Sequence, residues 1–212
     1  MRHSRCLLLA SLWFAACAGT PWMPREAEHY GFANATSRRV WVRGPWEAIS
    51  PSDDIDVVID QLCPAIMRLP GATDRDHGQE YCGALYSLGD GVYHASFPSP
   101  LGTKRPVGPS RRKTCYAPMS VQDARGRASV IADYHSHPWS PSPMSEEDRR
   151  ANTQRYFIRI QFDARCIIHK LVPHAHEARP GELYVREARQ WRLVGRILPE
   201  DKATGRITTV TE

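Results

Sequence analysis

Two histidines separated by one residue, and an acid that follows after a short loop, are the residues of this chain best suited to chemistry. His135 and His137 end an apolar run, and Asp148 follows a loop rich in proline and serine. Imidazole nitrogen and carboxylate oxygen are ligands that zinc prefers, and a catalytic zinc site leaves one position to water. The three residues therefore predict a site for one zinc ion per chain.

The elements that would carry these ligands can be predicted from the local sequence. Residues 130–134 are typical of a strand, and strand residues two apart face the same side, so His135 and His137 would point together. Ser145 is predicted to begin a short polar helix, with Asp148 in its first turn. Ser145-x-x-Asp148 is also the pattern of a helix-capping box, and capping does not conflict with metal binding.

Upstream, an acid could complete a hydrolytic site. Glu80 begins a strand-like run that is predicted to pair with 92–97 in a hairpin. Zinc lowers the pKa of water, and a nearby carboxylate can then take a proton during attack on a carbonyl, so Glu80 is the candidate base. Ser145, through its hydroxyl or the adjacent N–H, is the candidate support for the developing oxyanion. Trp139 follows the histidines closely and is a candidate for the wall of a substrate cleft.

This arrangement resembles a known family. His135-Ser136-His137-Pro138, seven residues from Pro138 to Met144, and Ser145-Glu146-Glu147-Asp148 are similar to the His-x-His-x(7)-Ser-x-x-Asp signature of JAMM (JAB/MPN) metalloproteases. Glu80 before Cys82-Gly83-Ala84-Leu85 resembles the glutamate strand of that family. The resemblance implies a cytidine-deaminase-like JAB/MPN fold and zinc-dependent hydrolysis of amide or isopeptide bonds. It assigns His135, His137 and Asp148 as ligands, Glu80 as base and Ser145 as transition-state support.

Two alternatives stay open beside that function. The same site could act as an endopeptidase on peptidoglycan stem peptides, because an exported protein meets such amide bonds. The chain could instead be a binding or scaffold module of the MPN type that keeps the fold without turnover. A second His-x-His, His174 and His176, lies between prolines with no acid at helical spacing after it, and is interpreted as a polar loop.

The rest of the chain predicts an α/β fold with a mixed β-sheet and flanking helices. Apolar residues at helical spacing predict an amphipathic helix over 52–69. An edge strand is expected at 39–43. Further strands are expected at 157–162, 166–172, 183–185 and 191–195. Residues 98–118, rich in Pro, Gly, Arg and Lys, are expected to form a long basic loop.

The N-terminus predicts export. A basic lead and an apolar run make 1–16 a signal peptide, and Phe14-Ala15-Ala16-Cys17 resembles a bacterial lipobox, which would make Cys17 the site of lipidation. Ordinary cleavage close by would instead release a soluble secreted protein. The expected organisation is a tether over 17–36, the metallohydrolase domain over 37–198 and a tail over 199–212. The expected location is the bacterial cell envelope, with membrane attachment through the lipid anchor alone.

Composition and cysteines agree with that location. The net charge of +5 is too small to indicate a nucleic-acid partner, so the expected partner is a peptide, protein or peptidoglycan substrate. Four cysteines lie in the predicted domain, namely Cys63, Cys82, Cys115 and Cys166. An even number in an oxidising compartment indicates disulfides, and three pairings of the four are open.

Overall fold

The structure is a computed structural model that describes residues 28–107 and 110–210. The predicted signal peptide, the predicted lipidation site Cys17 and most of the predicted tether lie outside these residues. The described chain is mostly β, with two mixed sheets, a hairpin and few helices. In chain order its strands are β1 (Tyr30–Asn34), β2 (Arg39–Gly44), β3 (Cys82–Ser87), β4 (Tyr93–Ala95), β5 (Lys104–Val107), β6 (Ser110–Lys113), β7 (Pro118–Asp123), β8 (Gly126–Arg127), β9 (Ser129–Ser136), β10 (Ile158–Phe162), β11 (Ile168–Val172), β12 (Gly181–Glu187), β13 (Gln190–Ile197) and β14 (Thr208–Thr209).

The larger sheet has eight strands in the order β14-β13-β12-β11-β10-β9-β3-β4. Strands β9 and β10 run parallel, whereas β3 pairs with β9, and β11 with β10, in the antiparallel sense. The predicted mixed sheet is therefore confirmed, and so is the antiparallel pairing of β3 with β4. The predicted α/β class overstates the helical content, because helices are a small part of the described chain, which is mostly β.

One amphipathic helix, α1 (Ile55–Ile66), covers the core face of this sheet. It begins at Asp54, whose carboxylate accepts a hydrogen bond from the Asp56 N–H at 2.9 Å and so caps the helix. Val58, Ile59 and Leu62, which follow the predicted stripe, are fully buried. The helix is confirmed but is shorter than the predicted span of 52–69. A second short helix, α2 (Glu146–Arg149), follows β9 and is discussed with the site.

Strands β1, β2, β7 and β8 form the second sheet. Strand β2 was expected at an edge, but it lies between β1, its antiparallel neighbour, and β7, its parallel neighbour. The segment expected to be a loop over 98–118 contains the antiparallel hairpin of β5 and β6 and the start of β7. These pairings depend on distant residues, which a local pattern does not contain.

Both predicted end segments differ from the structure. Strand β1 lies within the predicted tether of 17–36 and pairs with β2. Strand β14 lies within the predicted tail of 199–212 and pairs with β13. Within that same segment the Lys202 ammonium is buried and donates to the carbonyl oxygens of His174 at 2.5 Å and Glu177 at 2.7 Å. The folded part therefore extends beyond 37–198 at both ends.

Two disulfides join distant parts of the described chain. Cys63 pairs with Cys166, and Cys82 pairs with Cys115. Because disulfides persist in oxidising compartments, the two bonds suggest an extracellular or periplasmic chain. Among the described residues, no helix has the length and apolar character needed to cross a membrane.

Candidate metal centre

Strand β9 separates a core face from a polar face. Ala132 and Tyr134 are fully buried and pack in the cluster that contains α1. Asp133 and His135, which alternate with these two residues along the strand, are also buried, at 3% exposure each. Because alternate strand residues face opposite sides, these two share the face turned away from α1, and His137 continues it. The predicted strand therefore presents both histidines on one side.

Asp148 completes a group of three candidate ligands. One ligand atom from each of His135, His137 and Asp148 lies within 4.8 Å of the other two. The Nε2 atoms of His135 and His137 lie 3.5 and 3.8 Å from the two carboxylate oxygens of Asp148. The imidazole ring centroids are 5.1 Å apart. Residues up to thirteen positions apart in sequence thus have their ligand atoms close together.

Helix α2 fixes the position of Asp148. Ser145 is its N-cap: the hydroxyl oxygen accepts from the Asp148 N–H at 3.1 Å, and the hydroxyl donates to Asp148 Oδ2 at 2.5 Å. Capping and ligand placement therefore use the same residue. The hydroxyl of Ser145 points to the carboxylate, so its predicted role at an oxyanion stays a prediction.

His137 is held from its other ring nitrogen. Its Nδ1 lies 2.6 Å from the Ser142 hydroxyl, and Gln161 Nε2 lies 3.4 Å from the same nitrogen and donates to the Ser142 carbonyl at 2.6 Å. A histidine that binds metal through Nε2 carries its proton on Nδ1 and donates it to a neighbour, and Ser142 offers that acceptor. The pKa of His137 is lowered to about 3, mainly by burial and secondly by the nearby His135. The low pKa keeps the ring neutral, as metal binding requires.

The loop that contains Ser142 is itself anchored. Asp163, which is 1% exposed, accepts from the Ser140 hydroxyl at 2.5 Å and from the Ser142 N–H at 3.4 Å. Its other oxygen accepts from the N–H groups of Arg165 and Ile167. The disulfide between Cys63 and Cys166 ties the same turn to α1. The helix, the turn and the loop therefore support His137 as one connected unit.

A cation borders the candidate ligands. Arg159 Nη2 lies 3.3 Å from Asp133 Oδ2 and 3.8 Å from Asp148 Oδ1. Burial by itself would raise the pKa of Asp148, but its interactions with His135 and Arg159 and the Ser145 hydrogen bond hold that pKa well below the ordinary value. Asp148 is therefore ionised, as a metal ligand must be.

The surroundings of His135 test whether a metal fits. Both of its ring nitrogens are buried and make no hydrogen bond to any described residue, although Nε2 is 3.5 Å from Asp148. Buried polar atoms are usually satisfied, so the unsatisfied Nε2 of His135, which faces the Asp148 carboxylate, is available to bind a metal ion. Two imidazoles and one carboxylate form a donor set suited to zinc. A buried His-His-Asp trio that could hold a metal ion is thus present.

Glu80 lies two residues before Cys82, the first residue of β3, which is the antiparallel neighbour of β9. The Ser136 N–H donates to the Tyr81 carbonyl at 3.0 Å, and Cys82 is opposite His135 across β3 and β9. Continuing this antiparallel register puts Glu80 opposite His137, on the face that carries the two histidines. Glu80 is 9% exposed. The role of Glu80 as a base beside the candidate ligands stays a prediction.

Trp139 lies beside the same group. Its ring stacks on that of His137, with centroids 5.2 Å apart and planes inclined by 15°. It is partly exposed, so it contributes an aromatic surface next to the ligands. Its predicted position at a cleft wall is consistent with this contact.

Sequence reasoning missed Asp133, Ser142, Arg159, Gln161 and Asp163. Arg159 and Gln161 alternate with buried Ile160 and Phe162, and a polar alternation inside an apolar strand is a signal that could have marked them. Their contact with the histidines depends on the parallel pairing of β10 with β9, which the local pattern does not specify. Ser142 has no signal of its own in a loop rich in serine.

Comparisons with known proteins do not add a family assignment. No protein-family model matches the chain, and no curated protein and no solved structure matches it.

Proposed function

We propose that the protein is a zinc-dependent hydrolase of amide or isopeptide bonds, of the JAMM type. The observation that supports this most strongly is the convergence of the ligand atoms of His135, His137 and Asp148; the register of β3 and β9, when continued, predicts Glu80 beside them. The two unsatisfied ring nitrogens of His135 add support, because buried polar atoms usually have a hydrogen-bond partner.

Bound zinc supplies a Lewis acid that polarises a carbonyl and lowers the pKa of water. Glu80 is the proton acceptor during attack on the scissile carbonyl, and returns the proton to the leaving nitrogen. Ser142 and Gln161 hold His137, and Ser145 holds Asp148, so the groups that bind the metal keep their orientation. Trp139 provides an apolar surface for the substrate chain next to His137.

The resemblance in sequence adds support. The His-x-His-x(7)-Ser-x-x-Asp spacing places the two histidines at a strand end and Asp148 in a capped helix, and these are the positions that a shared ligand site requires. The JAB/MPN fold belongs to the same proposal.

Peptidoglycan stem peptides are a second candidate substrate. The two disulfides suggest an extracellular or periplasmic chain, and peptidoglycan is the abundant cross-linked amide polymer of that location. Export through the segment 1–16 and attachment through a lipid on Cys17 are further parts of the proposal.

Metal analysis joined to activity assays tests the function. We expect about one zinc per chain in the purified protein, loss of zinc in His135→Ala, and retention of zinc in Glu80→Gln. Activity on isopeptide-linked model substrates or on purified peptidoglycan should be lost in His135→Ala and fall by about 10²- to 10⁴-fold in Glu80→Gln, since a general base typically contributes that much.

Glu200→Gln, which changes an exposed acid in the C-terminal segment, is the matched control and should keep both zinc and activity. A wild-type protein that binds no zinc would overturn the hydrolase proposal. Zinc binding without hydrolysis of either substrate class would favour the scaffold module, and the class that is cleaved separates the two enzymatic candidates.

A further inference from the structure

The two disulfides of the described chain differ in exposure. Cys166 is exposed to solvent, whereas its partner Cys63, in α1, is fully buried. Cys82 is 2% exposed, and its partner Cys115 is only partly exposed. Thiol–disulfide exchange requires access of a thiolate to one of the two sulfurs, and exposed disulfides are the labile ones. The bond between Cys63 and Cys166 is therefore the better placed of the two for exchange, at Cys166.

The turn that contains Cys166 has a backbone that needs support. Cys166 has a φ of 60°, in the left-handed region that residues other than glycine rarely adopt. Such a conformation persists where the surrounding structure holds it, and the bond to α1 is one restraint. Another is the Asp163 carbonyl, which accepts from the Cys166 N–H at 2.9 Å. Loss of the disulfide removes the covalent restraint and lets the turn relax.

The buried sulfur has a hydrogen-bond acceptor for a reduced state. Cys63 Sγ lies 3.6 Å from the Asp163 carbonyl oxygen, a distance suited to a thiol donor. A buried polar group without a partner is costly, so this carbonyl lowers the cost of a free thiol at Cys63. The core can therefore hold Cys63 in the reduced chain as well as in the oxidised one.

The same turn holds the loop that supports His137. Asp163 Oδ2 accepts from the Ser140 hydroxyl at 2.5 Å and from the Ser142 N–H at 3.4 Å. The Ser142 hydroxyl lies 2.6 Å from His137 Nδ1. The His137 N–H donates at 2.8 Å to the carbonyl of Phe162, the residue before Asp163. A continuous series of hydrogen bonds thus connects the disulfide-bonded turn with a candidate metal ligand, and coupling between sites is carried by such networks.

We propose that the bond between Cys63 and Cys166 is a site of thiol–disulfide exchange that controls the loop holding His137, and with it metal binding. A thiolate of an external dithiol attacks Cys166 Sγ, forms a mixed disulfide and displaces Cys63, which takes up a proton. The second thiol of the dithiol then attacks its own sulfur in the mixed disulfide and releases Cys166 as a thiol. Two electrons and two protons pass to the protein, and the dithiol leaves as a disulfide. The exchange rests on the two cysteines, and its effect on the metal rests on the proposed function.

Graded reduction of the full chain tests the exchange. The folded protein is treated with increasing dithiothreitol, free thiols are alkylated, and peptide mass analysis reports which bond has opened. We expect Cys63 and Cys166 to be labelled while Cys82 and Cys115 remain bonded. Opening of the bond between Cys82 and Cys115 first, or of both bonds together, would overturn the proposal.

Zinc affinity before and after selective reduction tests the effect on the metal. Because thiols bind zinc themselves, the reduced protein is freed of dithiothreitol under inert gas before competition with a chelator. We expect about tenfold weaker binding, the lower end of the range typical when the partner of a metal-binding histidine is lost. Equal affinities of the oxidised and reduced wild type would overturn the control of metal binding.

Two double variants identify the bond that responds. Cys63→Ala/Cys166→Ala has no thiol at this position and should show the weaker zinc affinity with or without reductant. Cys82→Ala/Cys115→Ala removes the other disulfide and should still respond to reductant. A response that persists in the first double variant would contradict the proposal. Should that variant fail to fold, the reduction of the wild type remains decisive.

Hydrogen exchange in the zinc-free protein separates this proposal from the hydrolase proposal. Amides of residues 137–142 should exchange faster after selective reduction, because Asp163, the acceptor of the Ser142 N–H, is then held less firmly. Amides of β12 should exchange at an unchanged rate. Absence of zinc binding in the oxidised protein would overturn the hydrolase, while faster exchange at 137–142 would still support control of the loop. Unchanged exchange at 137–142 would overturn that control.

Discussion

The chain contains two His-x-His segments, and their surroundings differ. His135 and His137 end a buried strand, share one face and meet the carboxylate of Asp148. His174 and His176 lie in a loop, where His174 has a φ of 44° and His176 is exposed. Among the described residues, only the first segment belongs to a group of three metal-ligand side chains. The spacing of two histidines therefore does not define a site; an extended backbone and a third ligand do.

The acids near the second segment form ion pairs and hydrogen bonds within and around the loop. Glu177 Oε1 lies 3.3 Å from His174 Nδ1, and its other oxygen lies 2.6 Å from Arg179. Glu182 approaches His174 Nε2 at 3.6 Å and accepts a hydrogen bond from the Tyr184 hydroxyl at 2.9 Å. These contacts hold the loop together, and they agree with its interpretation as a polar loop.

The largest expected difference between the two segments is in metal content. His137→Ala should reduce zinc from about one per chain to none, because it removes one of three protein ligands. His176→Ala should leave the zinc content unchanged. Atomic emission on protein dialysed against a trace of zinc gives the measurement. Loss of zinc in His176→Ala instead would move the metal site to the second segment.

A second difference should appear in the pH dependence of unfolding. The pKa of His137 is about 3 in the folded chain and near 6.5 in an unfolded one. Between these values the unfolded chain binds the additional proton, so stability falls as pH falls from 6.5 towards 3. At about 1.4 kcal/mol per pKa unit, the loss is on the order of a few kcal/mol.

Denaturant titrations of the chelator-treated protein over this pH range measure the effect. His137→Gln should flatten the dependence, whereas His176→Gln should leave it as it is in the wild type. A carboxylate whose pKa is held low, such as Asp148, also contributes folding stability that is lost as pH falls. The difference between the two variants is therefore the decisive quantity. Parallel curves for wild type and His137→Gln would contradict the assigned pKa.

The smallest expected difference concerns the support behind each segment. Ser142→Ala removes the partner of His137 Nδ1 and should weaken zinc binding by about 10- to 100-fold, as is typical when the hydrogen-bond partner of a metal-binding histidine is lost. Glu177→Gln, the corresponding change beside His174, should not alter zinc binding. Competition with a chelator of known affinity measures both, and equal affinities for the two variants would argue against the role of Ser142.

The sequence predicts much of the site because its ligands are carried by local patterns. The apolar run before His135, the stripe of α1 and the capping pair of Ser145 and Asp148 are each contained in a short segment, and the structure has a strand or helix at each. The strand after Glu80 could be predicted for the same reason, and the role of Glu80 stays a prediction.

Other features depend on long-range pairing and could not be predicted. Arg159 reaches Asp148 only because β10 lies parallel to β9, and the crossover between them has no local signal. Strands β1 and β14 are short and partly polar, so their own sequences do not mark them as strands. They are recognised in the structure by their pairing with β2 and β13. The hairpin of β5 and β6 is obscured by its proline and arginine content, which favours a loop.

The two disulfides differ in how far they reach along the chain, and this difference has a consequence for the order of assembly. Cys82 and Cys115 are separated by 33 residues, whereas Cys63 and Cys166 are separated by 103. Loop closure becomes entropically more costly with length, so the shorter bond can close early and fasten the hairpin beside Glu80. The longer bond brings α1 to the turn after β10 and is favoured once β9 and β10 have paired. It would then close last, on chains in which strand β9 has already reached its native neighbours.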